Sequence, residues 1–116
     1  MRKSIVVEKS YKFSLQIINL YKFLSFEKKE FVLSKQILKS GTSIGANIEE
    51  SQAAQSKRDF ISKNSIALKE CRETHYWLRL LNDSDYLLKE HVGLIGECEE
   101  LRKILTSIIK TSQERL

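Results

Sequence analysis

Between Ser56 and Asn82 the chain reads SKRDFISKNSIALKECRETHYWLRLLN, with no glycine or proline to interrupt a helix. Ser56 and Asp59 open it with a capping-box spacing: a side-chain oxygen for a first-turn N–H, and a carboxylate at the positive helix end. Phe60, Ala67, Thr74 and Leu81 then recur every seven residues, flanked by the rows Ile61/Leu68 and Cys71/Leu78. That is a broad apolar face at helical period, and it predicts a long core helix. A second, narrower row of Ile66, Trp77 and Leu80 lies away from this face, among Lys63, Lys69, Glu70, Arg72, Glu73 and Arg79. One bundle core needs one stripe, so this helix is expected to touch something besides its own domain.

With 116 residues the chain has the length of one domain, 1–116, with room for a real hydrophobic core. Proline is absent and glycine occurs four times, a balance that suits helices and disfavours turn-rich β folds, so the expected class is all-α. The start, MRKSIVVEKSYK, lacks the apolar centre of a signal peptide, and no run approaches the ~20 apolar residues that span a bilayer. The expected location is the cytoplasm, with no membrane partner and both cysteines present as thiols.

A first helix is expected over about 7–25, with Phe13, Ile17, Leu20 and Leu24 on one row and Tyr11, Leu15 and Ile18 on its neighbour. Ser25 offers an N-cap for a second helix starting near Glu27, whose buried side is expected to hold Phe31, Val32, Leu33, Ile37, Leu38, Ile44 and Ile48. Its second half, KSGTSIGANIEE, is unusual because Gly41 and Gly45 fall within one turn. Each internal glycine costs ~1 kcal/mol against alanine, so the pair needs a reason, and close approach of another backbone supplies one. A phosphate-cradling loop is excluded, since GTSIG has neither the following Lys-Ser/Thr nor a preceding strand. Asn47, beside Ile44 and Ile48, is expected to need hydrogen-bond partners and to fix helix register. Ser51–Gln55 connects to the Ser56 helix, and Asn82–Asp85 is short enough to make the third and fourth helices antiparallel neighbours. The fourth helix is expected from about Tyr86 to near Ser112, with Leu87, His91, Leu94, Cys98, Leu101, Leu105 and Ile108 as a heptad seam and a fraying tail, SQERL.

The net charge of +5 is unevenly distributed: residues 1–40 hold nine Lys/Arg against three Glu, and residues 41–116 hold eleven against twelve acids. The positive excess on Lys9, Lys12, Lys22, Lys28, Lys29, Lys35 and Lys39 suits a phosphate backbone, RNA or DNA, or serves solubility alone. Catalysis has little to rest on. Ser25–Lys28 and Ser107–Lys110 match S-x-x-K without companion motifs, and the adjacent pairs Glu49–Glu50 and Glu99–Glu100 diverge around a helix. Cys71, His75, His91 and Cys98 are zinc-ligand types that fold-back at Ser84 draws together, but His91 and Cys98 stand ~10 Å apart along the axis. No metal site is assigned and no cofactor is expected; buried thiols are the ordinary alternative.

The run KSGTSIGANIEESQAAQSKRDFISKNSIALKECRETHYWLRLL resembles the signature of small bacterial four-helix-bundle proteins encoded in intervening sequences of 23S ribosomal RNA genes. The match is dense over residues 36–81 and looser in the first and last helices, where FSLQIINLYKFL is similar to the family's first helix. Cys71 departs from an expected alanine and His75 from an expected charged residue, usually arginine. The resemblance implies a left-handed up-down-up-down antiparallel bundle, a homopentameric ring, and no enzyme activity or cofactor. It also extends to the accessory variability determinant of diversity-generating retroelements, a basic barrel that binds nucleic acid and a reverse transcriptase. The expectation is a non-enzymatic ring scaffold that binds nucleic acid through its first two helices. The alternatives are a protein–protein adaptor and, third, a metal-binding bundle. Subunit contacts are expected at Ile66, Glu70, Glu73, Trp77, Leu80, Gly41 and Gly45, with Trp77 as anchor.

Overall fold

The computed structural model describes residues 4–115. Four helices account for most of them: α1 (Ile5–Lys22), α2 (Leu33–Gln52), α3 (Lys57–Asp83) and α4 (Lys89–Glu114). Each helix packs on its neighbours in cyclic order, α1 on α2, α2 on α3, α3 on α4 and α4 back on α1, and no strand is present among the described residues. Pairings across the seams run in opposite directions. Gly41 meets Ile17 while Gly45 meets Ser14 and Ser10; Ser40 pairs with Thr74 while Glu50 pairs with Lys63. Adjacent helices are therefore antiparallel, giving the expected up-down-up-down bundle, 47 × 24 × 21 Å.

The core holds Phe13, Ile17, Leu20 and Leu24 from α1 and its extension, Ile37, Ile44 and Ile48 from α2, and Ala67, Cys71, Leu78 and Leu81 from α3. Leu94, Cys98, Leu101 and Leu105 complete it from α4. The expected α3 start is found: the Asp59 N–H donates to Ser56 Oγ at 3.0 Å, and the Asp59 carboxylate accepts from the Gln55 N–H at 3.2 Å.

Several expected boundaries are corrected. Instead of a break at Ser25, α1 continues into a π-helical turn, Phe23–Glu27, in which the Lys28 N–H donates to the Phe23 carbonyl at 3.2 Å. The wider turn buries Leu24 and Ser25 side by side, so Ser25 is no cap, and its hydroxyl has no hydrogen-bond partner among the described residues. Glu30 caps α2 instead: its carboxylate accepts from the N–H groups of Val32, Leu33 and Ser34 at 3.2, 3.0 and 2.7 Å. Phe31 and Val32 lie in the turn at 54% and 70% exposure and not on the buried side of α2. Asn47 donates to the Ser43 carbonyl one turn back, at 2.9 Å, and among the described residues makes no hydrogen bond to another helix. Buried cross-helix polar pairing falls to Thr74, whose hydroxyl donates to Ser40 Oγ at 2.9 Å. α4 starts at Lys89, with Tyr86 and Leu87 packing on the core from the connection, and it stays helical through Glu114. Of the tail expected to fray, only Leu116 lies outside the described residues.

Candidate interaction surfaces

α1 and α2 meet through small residues. Ser10 is buried in the seam, and the Ser14 hydroxyl donates to the Ser10 carbonyl at 2.9 Å, folding both polar groups back onto α1. A Cβ at Gly45 would lie 3.1 Å from Ser14 Oγ and 3.3 Å from the Ser10 carbonyl oxygen, so a backbone does approach there. Gly41 and Gly45, expected among the subunit contacts, are buried against α1 of the same chain. Outside this seam an apolar groove opens between Tyr11 and Ile18 on α1 and Thr42 and Ala46 on α2, with Glu49 at its rim. Tyr11 is 62% exposed and Leu15 beside it 48%.

The α1–α4 seam is polar at its surface. Lys9 forms an ion pair with Glu100 at 2.5 Å, Gln16 donates to Glu97 at 3.3 Å, and Lys12 lies in the same cleft as both carboxylates. Two of the seven lysines expected to form a basic surface thus face acids of α4. Lys22, Lys28, Lys29, Lys35 and Lys39 are exposed and without an ion pair among the described residues.

On α3, Ile66 and Leu80 are exposed as the second stripe required, but Trp77 is half-buried against the core. Its indole N–H donates to Glu73 at 3.1 Å, so that carboxylate is occupied within the chain. Burial, and then the neighbouring Glu73, push the Glu70 carboxyl above its ordinary value.

Cys71 and Cys98 do come together: their sulfurs are 3.6 Å apart, and each thiol also contacts the other residue's carbonyl. Both are free and fully buried. The bond to Cys71, and burial, raise the Cys98 thiol well above its ordinary value. His91 serves elsewhere, accepting from the Leu88 N–H at 3.0 Å and lying 4.8 Å from the Phe23 ring. Among the described residues no three His, Cys, Asp or Glu side chains gather as a metal set. No described helix is long and apolar enough to cross a membrane.

The family described as 23S rRNA-intervening sequence protein matches residues 2–107. The chain belongs to that family. A solved structure points the same way: a protein of unknown function from the S23 ribosomal protein family of Bacteroides thetaiotaomicron is 55% identical, with a TM-score of 0.89. The alignment covers 91% of this chain and 99% of that one. No curated protein matches this chain. The 23S rRNA-intervening sequence protein resemblance and the four-helix architecture are thus as expected from KSGTSIGANIEE and the residues after it. The Glu30 cap and the serine lining of α1 were missed. The serines had a signal, since Ser10, Ser14 and Ile17 fall on one face of α1.

Proposed function

We propose that this chain is a non-enzymatic scaffold that assembles into a ring of identical subunits, five by the family resemblance, and carries nucleic acid on its basic surface. The observation behind assembly is the exposure of large apolar side chains on two helices that are not neighbours: Tyr11 and Leu15 on α1, Ile66 and Leu80 on α3. Two different apolar faces favour a head-to-tail contact, and such contacts close into rings when the rotation divides a full turn. The five exposed lysines that form no ion pair among the described residues support nucleic acid over a purely protein partner. Light scattering tests the assembly. Wild type at micromolar concentration is expected to be a multiple of the chain mass, and Tyr11→Ser with Leu15→Ser to shift toward monomer at unchanged helical content. A wild-type mass of one chain overturns the ring. A salt titration tests the partner: affinity for RNA or DNA falls steeply with ionic strength if phosphates are bound, and no binding at low salt leaves a protein–protein adaptor.

A further inference from the structure

The outward side of α3 carries a second basic surface, independent of the α1 and α2 lysines. Taking Ala67, Cys71, Thr74 and Leu78 as the inward direction, 3.6 residues per turn place Arg58, Ser65, Lys69, Arg72 and Tyr76 on the opposite side, with Arg79 at one edge and Leu80, of the assembly face, bordering the other. The five and Arg79 are exposed, and none of their four cations forms an ion pair among the described residues. The acids of α3 lie mostly to the flanks of this side. Asp59 is held at the helix start by the Gln55 N–H, half-buried Glu70 feels the charge of Lys69 and then of Lys39 on α2, and Glu73, on the flank away from Arg79, accepts from Trp77. Asp83, at the last residue of the helix, falls within the stripe.

An aromatic ring sits inside it. Tyr76 is 48% exposed, meets Trp77 edge-on with ring centroids 5.2 Å apart, and has the Arg79 guanidinium 5.9 Å from its centroid. Trp77 is itself held by the core and by Glu73, so the Tyr76 ring is presented from a braced support.

The geometry points to single-stranded nucleic acid lying along α3, its phosphates on Arg58, Lys69, Arg72 and Arg79 and one base stacked on Tyr76. This rests on the nucleic-acid reading above and names the strand type and the residues. A duplex fits less well. In a duplex the bases are stacked on one another and offer no face to the Tyr76 ring, which would be left unused. Arg72 and Arg79 are about 10 Å apart along the axis, with Tyr76 between them, and a splayed strand presents phosphates and base faces together.

Fluorescence anisotropy with a labelled twelve-nucleotide oligothymidine, across a salt series, tests this on the full chain. Arg72→Ala with Arg79→Ala is expected to reduce the log–log salt slope by about 1.4, since each phosphate contact on a single strand contributes about 0.7. Tyr76→Ala is expected to weaken binding about 5- to 150-fold, and Tyr76→Phe to retain it. Circular dichroism of these surface variants should match wild type. Lys28→Ala with Lys29→Ala and Lys35→Ala should leave the Tyr76→Ala effect in place. If the lysine variant abolishes binding and the α3 variants do not change it, this inference fails while nucleic-acid binding stands. Tighter binding to a duplex of the same length, or equal competition by polyglutamate with no Tyr76→Ala effect, also overturns it. If wild type binds no oligonucleotide at low salt, the inference falls together with the reading beneath it.

Discussion

The bundle has two pairs of glycines, and the pairs stand in their helices for opposite reasons. Gly41 and Gly45 of α2 are enclosed: a Cβ at Gly41 would lie 2.8 Å from both γ carbons of the fully buried Ile17, and one at Gly45 would press on the α1 backbone. Gly93 and Gly96 of α4 are exposed, and a Cβ at either would meet nothing within 4 Å. All four carry the same propensity cost, ~1 kcal/mol each against alanine. Only the α2 pair recovers it, by letting α1 settle close enough for Ile17 to fill the seam. A glycine's effect on a helix is therefore decided by what lies opposite, and neither pair can be understood from its own helix alone.

Substitutions at these positions separate the two cases, with unfolding midpoints in urea measured at one protein concentration because assembly contributes to stability. The largest effect is expected for Gly41→Leu, which places a full side chain on Ile17 and should cost about 3 kcal/mol or more. Gly41→Ala should cost about 1–2 kcal/mol net, overpacking outweighing propensity, and Ile17→Val in the same chain should return part of the loss. If Gly41→Ala is neutral alone and Ile17→Val adds its full penalty, the seam is looser than the distances say. Gly45→Ala comes next, at about 1 kcal/mol, because Ser14 Oγ can yield a few tenths of an ångström but the Ser10 carbonyl cannot. Adding Ser14→Ala should recover some of it. The smallest and opposite effects belong to α4: Gly93→Ala and Gly96→Ala should each stabilise by about 0.5–1 kcal/mol. A destabilising result there would break the comparison and place an unrecognised neighbour against that face.

Legibility in the sequence followed how local each signal is. The α3 start could be read because Ser56 and Asp59 make their contacts within one turn, and the core rows of α3 and α4 because seven-residue spacing survives any packing. The α1–α2 turn was misread because its usual punctuation is missing. Lys29 takes the left-handed conformation, φ 53°, where glycine is the ordinary choice, and a glutamate caps α2 where Ser, Thr, Asp or Asn is expected. Asp85 does the same after α3 at φ 66°, so α4 starts later than the apolar spacing implied. For the surfaces, composition placed the excess lysines but not the acids opposite them. Glu100 lies far along the chain from Lys9, and only the folded α1–α4 seam brings the two together. The α3 stripe is hard to see as a unit in the sequence because its cations stand eleven, three and seven residues apart, interleaved with core positions.

The facing thiols of Cys71 and Cys98 make the α3–α4 seam a clock. Both are fully buried, and each lies against the other's carbonyl, so a thiol-labelling reagent reaches neither until the two helices part. Labelling velocity then counts seam openings, not collisions with the surface. Because the sulfurs are 3.6 Å apart, a bulky adduct on one cannot be repacked, and the seam is wedged open with its partner uncovered. The second modification should follow the first at once, so a mass spectrum taken during the reaction would show unlabelled and doubly labelled chains with almost nothing between.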